Sequence, residues 1–333
     1  MPRIAVMGAG SWGTAFSLVL ADAGHDVRVW GRRESVCDGI NQTRQNVDYM
    51  PGVVLSEAIS ASHDETWVLD GADAVVLAVP SQTLRANLEQ WTPALPGRVP
   101  LVSLMKGVEL GTHQRMSEVI SEVSGVGPAY VAVITGPNLA REIAERQPAA
   151  SVVACTDETV ATQLQGWCHT PAFRPYTVTD VVGCELGGTT KNVIALAVGM
   201  AIGLGFGDNT TASVITRGLA ETARLAHAMG ADQMTLAGLA GLGDLVATCS
   251  SPLSRNRTFG QKLGSGMSVE EARASTRQIA EGVQSCQSVS ELAAEHGVVM
   301  PIVEHVAALI RGELEPREML VTLMARSAKS ERS

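Results

Sequence analysis

Three glycines near the N-terminus restrict the choice of fold more than any other feature of the chain. The stretch RIAVMGAGSWGTAFSLVLADAGHDVRVWGRR, residues 3–33, sets Gly8, Gly10 and Gly13 between a short apolar run and a helical pattern, and a second strand-like run follows. In a strand–turn–helix–strand unit of this length each glycine has a task. Gly8 allows the tight turn, Gly10 lets the backbone approach a pyrophosphate, and Gly13 lets the helix pack on the strand. The phosphates would meet free N–H groups at the positive end of the helix. Glycines that merely make a turn are the alternative.

Strand-like runs recur through the first half, at residues 3–7, 26–30, 74–79, 101–104, 131–135 and 151–156, with helix-like segments between most of them. Such alternation predicts an α/β domain, a doubly wound parallel sheet of Rossmann type with helices on both faces. After about Asp180 long Ala/Leu/Gly-rich helical segments replace the strands. One, at residues 216–230, ends on a capping glycine, and another opens on the capping box Ser268–Glu271. The expectation is a cofactor domain over 1–180, an all-α substrate domain over 181–326 and a disordered tail over 327–333, reasonable for 333 residues.

Composition narrows the function. A net charge of -9 argues against nucleic acid or an anionic membrane surface as partner, since both require clustered Lys and Arg. The opening residues carry no basic region followed by a long apolar core and cleavage site, so secretion is not expected. No uncharged stretch reaches the roughly 20 residues that span a bilayer, which predicts no integral insertion. The six cysteines form no C-x-x-C pair and the seven histidines no H-x-x-x-H spacing. No metal site is therefore expected, and reduced thiols in a cytoplasm are the plain reading.

An NAD-selective site usually carries Asp or Glu at the end of the second strand, where this chain reads Trp30-Gly31-Arg32-Arg33. Two guanidiniums favour a 2′-phosphate, so NADPH is expected to bind at least as well as NADH; solvated surface arginines are the alternative. Four polar islands then interrupt apolar sequence. Lys106 follows a strand end, which in an open parallel sheet faces the ligand crevice. Lys191 and Asn192 are expected to head a helix with no further charge before Asp208. Desolvation there would lower the lysine pKa and make it a usable proton donor and acceptor, whereas snorkelling to solvent is the bland alternative. Asp244, in a glycine-framed loop, is short enough to orient that ammonium. Ser254, Arg255 and Asn256 bring together a hydroxyl, a guanidinium fork and an amide, which suit a phosphate dianion or, equally, a surface loop.

In this order and spacing the motifs GAGSWGTA, VPSQ, LMKGVE, GP at Gly136-Pro137, TTKNV, GLGDLVATC, SRN and EG at Glu281-Gly282 resemble the bacterial NAD(P)-dependent glycerol-3-phosphate dehydrogenases over nearly the whole chain. The resemblance implies reduction of dihydroxyacetone phosphate to sn-glycerol 3-phosphate for phospholipid synthesis, by a cytoplasmic homodimer. It makes Ser11, Trp12, Arg32, Arg33, Tyr49, Lys106, Ala140, Arg255, Ile279 and Glu281 cofactor contacts. Lys106, Gly136, Asn138, Lys191, Asp244, Ser254, Arg255 and Asn256 fall on its substrate positions, with Lys191 as proton donor assisted by Asn192, Lys106 and Asp244. One departure stands out: the family usually reads G-P-S-F-A where this chain has GPNLA, so Asn138 replaces a small hydroxyl. A 2-hydroxyacid or sugar-acid dehydrogenase on the same two-domain plan, or a non-catalytic NADPH sensor, are the rival readings.

Overall fold

The computed structural model describes residues 1–275 and 280–325. Eight strands form one sheet: β1 (Arg3–Met7), β2 (Asp26–Trp30), β3 (Ile59–Ser62), β4 (Ala74–Leu77), β5 (Leu101–Ser103), β6 (Val131–Thr135), β7 (Ala149–Cys155) and β8 (Phe173–Val178), in the order β3-β2-β1-β4-β5-β6-β7-β8. The central strands are near-continuous apolar runs because helices cover both faces; all four residues of β4 are buried. Register is level where it matters: Met7 lies opposite Trp30 on one side and Leu77 on the other. Chain order reverses between β1 and β4, the switch point at which open α/β sheets leave a ligand crevice.

The sheet departs from the expected all-parallel pattern at one place. β6 and β7 run antiparallel. The connection between them holds only the short helix Ala140–Ala144, and the chain turns back at Gly136, whose φ of +141° suits a residue without a Cβ. β3 and β8 escape the sequence reading altogether. β3 reads ISAS, half of it serine, and β8 carries Arg174 and Pro175 in an edge position where Arg174, Tyr176 and Thr177 are exposed.

Beyond β8 the described residues are built on helices. The helix Val181–Gly203 is buried along nearly its whole length and forms the axis of the second half. Around it pack the helices Asp208–Ala228, Asp244–Ser250, Arg255–Gly264, Glu281–Glu295 and Pro301–Ile310, which share its apolar cluster. The capping box at Ser268 forms as the sequence predicts, while the segment expected at 216–230 begins eight residues earlier, at Asp208. This axial helix is also long and apolar enough to cross a membrane, but 89% of its most apolar window is buried inside the protein.

Candidate active site

The glycine-rich turn after β1 is close-packed at two of its glycines and open at the third. A Cβ on Gly8, at φ +138°, would stand 2.4 Å from the Ala78 carbonyl oxygen, and one on Gly13 only 2.0 Å from the Gly8 carbonyl oxygen. Both positions exclude any side chain. At Gly10 a Cβ would meet nothing within 4 Å, so the backbone there is open to an approaching group. Gly10 caps the helix Ser11–Asp22 without any side-chain bond to its first N–H groups, and no acidic residue occupies its first turn. These donors, together with the Trp12 indole nitrogen, which is buried without a partner among the described residues, fit the phosphates and polar edges of a dinucleotide. Beside the turn, the Ser11 hydroxyl donates to the Tyr49 carbonyl at 3.0 Å. Arg33 lies 5.6 Å over the Tyr49 ring, and Arg32 and Arg33 are exposed at the end of β2.

The second cluster grows from the axial helix. Lys191 and Asn192 do not head it, as the sequence suggested, but sit in its middle, because the helix starts at Val181 with Asp180 as its cap. Gly187 and Gly188, inside this helix, are packing residues: a Cβ on Gly187 would stand 2.5 Å from the Ala240 carbonyl oxygen, and one on Gly188 2.9 Å from the Thr135 hydroxyl. Asp244 is likewise not in a loop. It is the first residue of the helix Asp244–Ser250, after a π-helical turn over Leu239–Gly243.

These placements let one carboxylate serve two ammonium groups. Lys191 Nζ donates to Asp244 Oδ1 and, at 2.7 Å, to the Thr248 hydroxyl. Lys106 Nζ, carried by the segment after β5, donates to Asp244 Oδ2 at 2.5 Å and to the Gly136 carbonyl at 3.1 Å. The Asp244 side chain is 1% exposed and that of Lys191 9%. Burial disfavours the charged amine and pulls the Lys191 pKa down to about 8; the Asp244 carboxylate opposes the shift and the Lys106 ammonium reinforces it. A lysine so poised exchanges a proton near neutral pH.

A neutral amide relay borders this centre. Asn256 Nδ2 donates to Asn192 Oδ1 at 2.9 Å, and Asn256 Oδ1 accepts from the Gly282 N–H at 2.9 Å. The SRN tripeptide is therefore a helix start rather than a surface loop: Ser254 caps the helix Arg255–Gly264, Arg255 is exposed at its first position and Asn256 is buried. Next to Gly282, desolvation raises the Glu281 carboxyl pKa, against the pull of Arg255, Lys106 and Lys191, so these four charges share one neighbourhood. Asn138 Nδ2 donates to the Ser151 hydroxyl at 3.0 Å while its buried Oδ1 has no partner among the described residues. Ala140 begins the short helix that packs on the Ser11–Asp22 helix. Ile279 lies outside the described residues.

Lys106, Gly136, Lys191 and Asp244 thus come together directly, and Asn192 and Asn256 meet beside them. Sequence reasoning missed Thr248. Its signal was the spacing in GDLVATC, which puts a hydroxyl four residues after Asp244 on the same helix face.

The chain is similar to known proteins over nearly its whole length. Residues 3–161 match the family model of the NAD-dependent glycerol-3-phosphate dehydrogenase N-terminus and residues 180–321 that of its C-terminus. A glycerol-3-phosphate dehydrogenase (NAD(P)+) from Streptomyces coelicolor is 63% identical over 330 residues, covering 99% of this chain and 98% of that protein. One of the same name from Thermobifida fusca is 61% identical over 333 residues, covering 100% and 99%. The crystal structure of glycerol-3-phosphate dehydrogenase from Coxiella burnetii superposes with a TM-score of 0.93 at 36% identity, covering 98% of this chain and 99% of that one.

Proposed function

The chain belongs to the NAD-dependent glycerol-3-phosphate dehydrogenase family, and from that premise we propose that Lys191 is the proton donor and acceptor in its interconversion of dihydroxyacetone phosphate and sn-glycerol 3-phosphate. The protein is an NAD(P)-dependent oxidoreductase acting on a CH–OH group. The bound nicotinamide supplies or takes up the hydride at C2 of the substrate. What the chain itself contributes is binding, orientation and the proton.

In the reductive direction the Lys191 ammonium stabilises negative charge growing on the C2 oxygen and then transfers its proton there, leaving a neutral amine that is reprotonated from solvent. In the oxidative direction the neutral amine takes the hydroxyl proton. Asp244 and Thr248 hold Nζ in one orientation. Lys106 shares the carboxylate and adds a positive charge, which favours an anionic substrate. The phosphate is taken by Arg255 and by the N–H groups of the helix it opens, with Ser254 and Asn256 alongside. Gly8, Gly10, Ser11, Trp12, Gly13, Arg32, Arg33, Tyr49, Ala140 and Glu281 form the cofactor side, and Gly136 and Asn138 close the substrate side.

The observation that carries this reading is the single buried carboxylate of Asp244 shared by two lysines, one from the segment after β5 and one from the axial helix. We divide the chain accordingly into a cofactor domain over 1–180 and a catalytic helical domain over 181–326. We place it as a cytoplasmic homodimer feeding glycerophospholipid synthesis. A spectrophotometric assay with dihydroxyacetone phosphate and each reduced cofactor tests the assignment: oxidation of NADPH or NADH is expected. Oxidation with a 2-keto acid but none with the phosphorylated ketone would contradict it.

A further inference from the structure

The end of β2 carries no acid, yet an acid is brought to it from elsewhere. Asp48 Oδ2 lies 2.7 Å from Arg33 Nη2. Its segment is fastened to the glycine-rich turn on both sides of it: Asn46 Nδ2 donates to the Ala9 carbonyl at 2.9 Å and to the Thr14 hydroxyl at 2.8 Å, and the Tyr49 carbonyl accepts from Ser11. The end of β2 is tied to the same turn, since the Gly8 N–H donates to the Trp30 carbonyl at 3.1 Å. Asp48 and Arg33 are thus held, independently of each other, beside the loop that receives a dinucleotide.

We propose that Asp48 sets the cofactor preference, standing in for the acid that the end of β2 lacks. With NADH bound, its carboxylate accepts a hydrogen bond from the 2′-hydroxyl of the adenosine ribose, the part an acid plays in NAD-selective sites. With NADPH bound, the 2′-phosphate takes the Arg33 fork and Asp48 turns away into solvent. The exchange is easy because the pair is open to water, with side chains 47% and 52% exposed, and an exposed ion pair adds little to hold it together. It is still unfavourable to NADPH, because a carboxylate and a phosphate compete for one guanidinium and repel each other. Arg32, exposed next to Arg33, remains available to the phosphate throughout. A site with two arginines and one adjustable acid accepts both cofactors, and the acid decides their ratio.

This inference rests on the dinucleotide reading of the glycine-rich turn, so its test measures binding as well as activity. Calorimetric titration of NADPH and of NADH into wild type, Asp48→Asn and Asp48→Glu, without substrate, gives the ratio of dissociation constants. Loss of the carboxylate should shift that ratio toward NADPH by about tenfold in Asp48→Asn, the scale of one charge-assisted hydrogen bond. Asp48→Glu should stay closer to wild type, and kcat/KM ratios with the two cofactors should move in parallel. An Asp48→Asn ratio within about twofold of wild type overturns the proposal while leaving the dehydrogenase reading intact. Wild-type protein that binds neither dinucleotide overturns both.

Discussion

Lys191 illustrates how a residue's chemistry follows from its surroundings. An ammonium in the middle of an apolar helix is unfavourable unless paired, and here burial and the Lys106 charge lower its pKa while Asp244 restores part of the loss. With that pKa at about 8 and Lys191 in its proposed role, ketone reduction draws on the protonated amine and should fall as pH rises above it, while alcohol oxidation draws on the neutral amine and should rise through the same range. Asp244→Asn removes the carboxylate whose charge and hydrogen bond raise the pKa, so the break in its reductive pH profile should move to lower pH. An unchanged break, with residual activity large enough to measure, would show that another group controls the profile. Lys106, Lys191 and Asp244 were legible in the sequence because charges stand out in apolar segments. Thr248 was not, since a threonine within a helix usually does no more than bond back to its own turn.

At the scale of elements, the site depends on two helices packed with their backbones in contact. Gly199 and Gly203 of the axial helix face the Arg255–Gly264 helix, where a Cβ on Gly199 would stand 2.0 Å from the Arg257 carbonyl oxygen. Gly260 and Gly264 answer from the other side, 2.1 Å and 2.2 Å from the carbonyl oxygens of Leu196 and Met200 in the same sense. The spacing of four on both helices puts the glycines on facing ridges. One helix carries Lys191 and Asn192, the other Arg255 and Asn256, so this contact sets the distance between the proposed proton donor and the arginine proposed to hold the substrate phosphate. Gly199→Ala must push the helices apart, and a loss of roughly 1–3 kcal/mol is expected from overpacking. Thermal melts and KM for dihydroxyacetone phosphate measure it; wild-type values for both would mean that the helices do not set this distance. Glycines of this kind also explain the misplaced helix start. In sequence a Gly-Gly pair signals a break, and only a neighbouring backbone reveals it as an allowance for close approach.

At the scale of the whole molecule, the segment between β5 and the helix Met116–Ser124 fastens the two halves together. Arg115 Nη1 donates to Glu185 Oε2 at 2.6 Å, and the Ser117 N–H and hydroxyl bind the same buried carboxylate. His113 reaches Glu295 through Nδ1 at 2.7 Å and Glu291 through Nε2 at 2.8 Å, an arrangement in which both ring nitrogens donate only when the imidazole is charged. Burial by itself would lower the His113 pKa, but the hydrogen bonds to Glu295 and Glu291 outweigh it and raise the value above the ordinary one. The stabilisation from this clasp is therefore complete below the unfolded pKa of about 6.5 and is lost as pH rises through the raised folded value. His113→Gln should lower the melting temperature on the acid side of that window and leave it nearly unchanged on the alkaline side; an equal loss at both ends would mean the ring acts by packing alone. None of this was visible in the sequence, because Glu185, Glu291 and Glu295 lie far along the chain from their partners. The two-domain plan was legible, since strand–helix alternation and its abrupt end at about Asp180 are local patterns. On the assignment proposed above, this plan serves a reaction that takes its cofactor from one half and its proton from the other. The most direct test of that division is Lys191→Ala, with NADPH binding and steady-state turnover of dihydroxyacetone phosphate measured on the same folded protein. Binding should match wild type while turnover falls by roughly 10²- to 10⁴-fold; turnover near the wild-type rate would contradict the account.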